Sequence, residues 1–220
     1  VGETALLDAY RAARVPPSKP YELSAQDEGR RALAATMLEL LAALGTPAAH
    51  ATIAAQFDEA TNHTDEVNAL ALLAHIDCEQ RRPALDAFEA KWGHHREVMD
   101  TWHTVQATSG LPGKAARLRA LTQHESFSFT KPNKVRAVFA VLAVSAPSVL
   151  FTSEVLELMR EVIMKVDEAN GNVAASLAKM LQVWPKLPHA LRAQAKAVLE
   201  AVRARPGCSK NLDEVVSTVP

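Results

Sequence analysis

Apolar residues recur at helical spacing along almost the whole of this 220-residue sequence, and no segment sustains the alternation of a strand. Proline, glycine and capping residues cut the pattern into short pieces. From Ala5 to Arg14, the side chains of Leu6, Leu7 and Tyr10 share a face before Val15-Pro16-Pro17 breaks the helix. Ser24 followed by Asp27 reads as a capping box opening a long helix through Leu33, Met37, Leu40, Leu41 and Leu44. Gly45 stops that helix. Thr46-Pro47 starts the next, with Thr as N-cap and Pro at the first helical position.

The same grammar continues downstream. Thr64-Asp65-Glu66 caps a helix to about His75, and Pro83 opens one that ends near Trp92-Gly93. Val98, Trp102 and Val105 mark a stripe that closes between Gly110 and Gly113. Pro132 opens a helix whose core face is Val135, Val138, Phe139 and Leu142. Ser153-Glu154 starts another, ended by Asn170-Gly171. Pro188 begins the last long helix, stopped at Pro206-Gly207, and Asn211 to Thr218 adds a short one. About eleven or twelve helices joined by short loops imply antiparallel neighbours. The expected fold is all-α, an α-superhelix of stacked antiparallel helical hairpins like armadillo or HEAT arrays, although no strict period repeats. A closed bundle fits the same pattern. No linker interrupts the chain, so residues 1–220 read as a single domain.

Composition agrees with helix packed on helix. Aromatic residues make up only 5% of the chain, while Ala and Leu, which lose little entropy in helices, are abundant. A formal net charge of −1 argues against a protein that coats nucleic acid or an anionic membrane. Cys78 and Cys208 are too few for a disulfide scaffold and form no CxxC pair. No apolar run approaches the ~20 residues that span a bilayer. With neither a signal peptide nor an initiating Met before Val1, the chain is expected to be an excised segment, with a cytoplasmic location.

Catalytic equipment is hard to find. His94-His95 precede Arg96-Glu97, and His103 lies eight positions past His95, but no HExxH occurs, because no second His follows His124-Glu125 at the required spacing. His94 and His95 read as solvated loop residues, and no metal site is expected in the chain. Ser109, Ser126 and Cys208 lack a nucleophile elbow. Asp58-Glu59, Asp65-Glu66 and Asp167-Glu168 fall at helix ends and read as solvated carboxylates.

Charge is locally uneven. Lys114, Arg117, Arg119, Lys131, Lys134 and Arg136 face the single acid Glu125 between Leu111 and Ala140. Such a cluster is either a solvated rim or a lining for an anionic group such as a carboxylate. With Val135, Val138, Phe139 and Leu142 turned inward, Asn133 and Arg136 share an adjoining face, and Lys134 projects from the other flank into solvent.

Three stretches carry a family likeness. Val98-Met99-Asp100-Thr101-Trp102, then Leu121-Thr122-Gln123-His124-Glu125-Ser126-Phe127, then Lys131-Pro132-Asn133-Lys134-Val135-Arg136 resemble the C-terminal helical domain of aminopeptidase N, the zinc-dependent alanyl aminopeptidase family of bacterial and protozoan type. Phe57-Asp58-Glu59-Ala60-Thr61-Asn62-His63-Thr64-Asp65 is similar to the family's Phe-x-x-Ala-x-Asn-Met-Thr-Asp, with His63 in place of Met. Asn170-Gly171-Asn172-Val173-Ala174 resembles its Asn-Pro-x-Val-Ala, with Gly171 in place of Pro.

The resemblance implies an α-superhelix that caps a zinc catalytic domain of the same polypeptide and lines its substrate chamber and access channel. It implies release of N-terminal residues from short peptides, with the zinc held outside this chain. Arg136 and Asn133 are then expected to line the chamber, with Asn172 beside the pocket for the first side chain of the substrate. Ser176 stands where family members often carry Arg, a change that enlarges and neutralises that part of the wall. From the residues alone, two other classes compete. One is a stand-alone armadillo-like module that binds a protein or peptide. The other, a nucleic-acid-binding repeat, rests only on the basic cluster and lacks paired aromatic platforms.

Overall fold

The computed structural model describes residues 2–218, and all regular structure among them is helical. They form two compact units divided after His94.

The first unit holds α1 (Glu3–Ala13), α2 (Ala25–Leu44), α3 (Pro47–Glu59), α4 (His63–His75) and α5 (Arg81–Trp92). Its boundaries follow the caps. Ser24 accepts a hydrogen bond from the Asp27 N–H at 3.2 Å, and Thr46 accepts one from the Ala49 N–H at 3.1 Å. Each such cap stabilises its helix by about 1 kcal/mol. Gly45 takes the left-handed conformation (φ 66°) that ends α2. The cap of α4 lies two residues earlier than the sequence suggested. Asn62 Oδ1 accepts from the Asp65 N–H at 3.0 Å while its Nδ2 donates to the Asp65 carboxylate at 2.7 Å.

Glu66 also corrects an expectation. It is 3% exposed rather than solvated, and it accepts from Lys91 Nζ at 2.8 Å and Trp92 Nε1 at 3.0 Å. The carboxylate therefore ties α4 to the end of α5. A buried charge is tolerated only when paired and bonded in this way. Packed around these ties, the core of the unit is Leu38, Leu41, Ile53, Leu70, Leu73 and Phe88, all but inaccessible to solvent.

The second unit contains α6 (Val98–Ala107), α7 (Lys114–Gln123), α8 (Pro132–Val135), a π-helical turn (Arg136–Ala140), α9 (Val141–Ser145), α10 (Pro147–Leu150), α11 (Ser153–Asp167), α12 (Gly171–Met180), a 3₁₀ turn (Leu181–Lys186), α13 (His189–Arg203) and α14 (Lys210–Val216). Its spine is α11, which buries Val155, Leu156, Met159, Val162, Ile163 and Val166 and packs on α12 and α13. α7 and α12 were not apparent from periodicity. In α7 the buried residues are only Ala115, Leu118 and Leu121 among Lys and Arg. At α12, Asn170 does not close the preceding helix, which ends at Asp167. It caps the next one, accepting from the Val173 N–H at 3.1 Å.

Candidate functional site

The residues singled out by sequence lie in the second unit, Asn133 on α8, Arg136 on the π turn, and Asn172 and Ser176 on α12. Pro132 opens α8 from a position where its missing N–H costs nothing. Val135, Val138, Phe139 and Leu142 are completely buried, as their spacing predicts. Between them the hydrogen-bond ladder slips by one residue. The Val141 N–H reaches the carbonyl of Arg136, five residues back, and Thr104 Oγ1 on α6 donates to the Ala137 carbonyl at 3.0 Å. Such π turns are uncommon and recur at functional sites. Here the turn begins at Arg136.

Arg136 and Asn133 share an exposed face, and Arg136 Nη1 donates to Asn133 Oδ1 at 3.3 Å. They border a surface groove of about 350 Å³, together with Lys131 on one side and Arg96, Glu97 and Asp100 on the other. Lys134, expected in solvent, is instead 6% exposed. Its Nζ donates to the Arg96 carbonyl at 2.6 Å and stands 2.7 Å from Asp100 Oδ1 in an ion pair rather than a directed hydrogen bond. The loop before α6 thus supplies the carbonyl, and the first turn of α6 the charge, that a buried ammonium needs.

The rest of the basic cluster is mostly committed to structure. Arg117 donates to the carbonyls of Gln106 (2.9 Å), Pro112 (3.2 Å) and Ser109, closing the C-terminus of α6 from a distance. Arg119 grips Glu161 through two bonds of 2.6 and 2.8 Å. Lys114 Nζ donates to the Ser148 carbonyl at 3.1 Å. Of the six cations, Lys131 and Arg136 remain as the exposed pair beside the groove.

Asn172 and Ser176 lie on the exposed face of α12, one turn apart. Ser176 Oγ donates to the Asn172 carbonyl at 2.9 Å, so its lone pairs remain for a ligand to use. Asn172 Oδ1 accepts from Asn211 Nδ2 at 2.7 Å, which directs the Asn172 amide N–H groups elsewhere. Asn211, 39 residues away in sequence, gave no signal of this role. Gly171 has a packing reason. A Cβ there would lie 2.8 Å from the Ser209 Cβ and closer still to its hydroxyl. Ser209 is held in place by Asp167, which accepts from its backbone N–H at 3.0 Å and from its hydroxyl. The π turn packs against α12, so the two polar pairs belong to neighbouring elements.

One further cluster lies beside α6. His103 is completely buried, and its Nδ1–H donates to the Met99 carbonyl at 2.6 Å. Burial, with Lys134 and His124 adding to it, holds its pKa below that of an ordinary histidine. Ser126 Oγ lies 2.7 Å from His124 Nδ1 and 3.4 Å from His103 Nε2. The Ser126 N–H also donates to His124 Nδ1, at 3.2 Å, so that nitrogen acts as acceptor and the hydroxyl proton is directed to it. His94 and His95 are exposed, as expected. Among the described residues, no three His, Cys, Asp or Glu side chains converge to hold a metal ion, and no helix is long and apolar enough to cross a membrane.

The family model described as "Domain of unknown function (DUF3458_C) ARM repeats" matches residues 2–219. The chain belongs to this family. The ARM-repeat domain is 32% identical over 191 residues to aminopeptidase N of Caulobacter vibrioides, a match covering 86% of this chain and 22% of that protein. It is 29% identical over 202 residues to aminopeptidase N of Escherichia coli K12, covering 90% of this chain and 23% of that protein. Among solved structures, that of Legionella pneumophila aminopeptidase A in complex with aspartic acid aligns with a TM-score of 0.85 at 21% identity. That alignment covers 98% of this chain and 26% of the other, a likeness of fold. The ARM-repeat domain therefore spans less than a quarter of the length of the aminopeptidases N that it matches.

Proposed function

We propose that residues 1–220 are the C-terminal helical domain of a zinc-dependent aminopeptidase of the N type, an enzyme that releases N-terminal amino acids from short peptides. The observation that carries this reading is the match of 86–90% of the chain to aminopeptidases N in two bacteria. In such an enzyme the zinc, held by residues outside this chain, supplies an activated water. This domain's work is different: it walls the chamber, excludes bulk water and orients the peptide. The exposed polar pairs suit that work. Arg136, steadied by Asn133 and poor in nearby acid on its own helix, offers a forked donor to a peptide carboxylate or carbonyl. Ser176 presents a neutral acceptor and Asn172 an amide donor beside it.

The test is Arg136→Ala in the polypeptide that contains this domain. Because the side chain is exposed, the melting temperature should hold. KM for short peptides should rise about tenfold, the cost of one charge-assisted hydrogen bond, with kcat changed less. Equal kinetics for both proteins across peptides of two to six residues would remove Arg136 from the wall.

A further inference from the structure

The first unit carries a helix with more apolar surface than its neighbours cover. Ala34, Leu38 and Leu41 of α2 are buried, and the helix packs on α1, α3 and α4. Beside that buried face runs a second stripe, Leu33, Met37, Leu40 and Leu44, at the four-three-four spacing that keeps side chains in line along a helix. Leu33, Leu40 and Leu44 are 51%, 46% and 43% exposed, and Met37 is half-buried. At about 100° per residue the two stripes make one apolar arc of about 160°, wider than the ~100° that seats a helix on one core. From Ala32 to Leu44 the exposed side chains include one charge, Glu39, which lies on the far side of the helix. Tyr21 and Leu23, just ahead of α2, are also largely exposed.

The last helix is built in the opposite way. α14 buries Leu212 and Val216 and shows Lys210, Asn211, Asp213 and Glu214 to solvent. A polar outer face is what closes the end of a repeat array, and an apolar outer face is what the next repeat covers. A second copy of this chain is a poor occupant. Three half-exposed leucines and a methionine amount to a few hundred Å², short of the ~800 Å² that each partner gives to a standard interface. A segment of the same polypeptide does not carry the free-energy cost of association and needs less area. The aminopeptidases N matched by this chain are more than four times its matched length, so chain of that kind is present in them.

We propose that the Leu33–Met37–Leu40–Leu44 stripe seats an apolar helix contributed by the longer polypeptide from outside residues 1–220. This rests on the reading that the chain is one part of a larger aminopeptidase. Leu33→Cys, Leu40→Cys and the control Glu39→Cys, each made in the 220-residue chain and in the longer polypeptide, test it. Maleimide labelling would be read by peptide mass spectrometry, which separates Cys78 and Cys208. Positions 33 and 40 should label rapidly in the isolated chain and about tenfold or more slowly in the longer polypeptide, the signature of a face that opens only by local unfolding. Position 39 should label alike in both. Equal labelling of position 40 in both proteins overturns the proposal. So does protection already present in the isolated chain, or a dimer of that chain that Leu40→Glu dissolves, since either gives the face another occupant. Peptide hydrolysis by the longer polypeptide is measured separately. Protection without hydrolysis would leave the helix seat standing and remove the aminopeptidase reading.

Discussion

His103 shows how much a single residue can decide without touching a ligand. Its ring is enclosed, one nitrogen is committed to the Met99 carbonyl, and burial disfavours the imidazolium form. The folded state therefore binds this proton less readily than the unfolded chain, whose histidine titrates near 6.5. Where the unfolded state holds more protons, stability rises with pH. The contribution of His103 is full above pH 6.5 and is lost as pH falls from there toward its lower folded pKa. The melting temperature should accordingly drop between pH 7.5 and pH 5. His103→Gln should be less stable at pH 7.5, by about 1–3 kcal/mol for the disturbed hydrogen bond and packing, and should show a shallower drop. Parallel pH profiles for the two proteins would assign the dependence to other groups. The sequence marked His103 only by its spacing from His95 in the search for metal ligands, which gave no sign of its burial. Lys134 and Glu66 were misjudged for the same reason: each is buried by a partner on another element, which local charge patterning does not reveal.

At the scale of elements, legibility follows where the stabilising groups sit. Helices begun by a cap and held by a strong apolar face were plain, as with Ser24 and Thr46 ahead of α2 and α3. α7 was not, because its place depends on Arg117 reaching back to the carbonyls that end α6 and on Arg119 reaching Glu161. α12 was hidden by Asn170-Gly171, a pair that commonly ends a helix and here starts one. Asn133 and Arg136 were readable as a shared face because they are three residues apart, but the π turn beneath them was not, since Thr104 helps to set it from α6. Gly171 stands at the first position of α12, where proline is ordinarily favoured. The crowding by Ser209 makes a different demand. Gly171→Ala should cost about 1–3 kcal/mol through overpacking, lowering the melting temperature by about 2–4 °C per kcal/mol in a protein of this size. Ser209→Gly removes the obstructing Cβ, so it should recover much of the Gly171→Ala loss in a double-mutant cycle. Additive losses would mean that the glycine is needed for another reason.

In the proposed reading the whole chain serves as a wall, and among the described residues no three His, Cys, Asp or Glu side chains converge to hold a metal ion. On that reading the exposed polar groups on α8, the π turn and α12 would hold and orient a peptide, whereas bond cleavage needs a metal or an activated nucleophile. The nearest approach to a nucleophile is Ser126, between His124 and His103. It still lacks the essentials. His103 is sealed in the core, and the His124 nitrogen that takes the serine proton also accepts the backbone N–H of the same serine. The purified 220-residue chain should therefore hydrolyse neither alanine p-nitroanilide nor p-nitrophenyl acetate above the buffer rate, with or without added zinc. The readout is sharp in both directions. Zinc-dependent release of alanine would place a metal centre within these residues. Ester hydrolysis that Ser126→Ala abolishes would make the histidine-flanked serine a catalyst. Silence in both assays, alongside a cooperative thermal transition showing that the chain is folded, is the outcome expected of a domain that shapes a chamber whose chemistry is supplied from elsewhere.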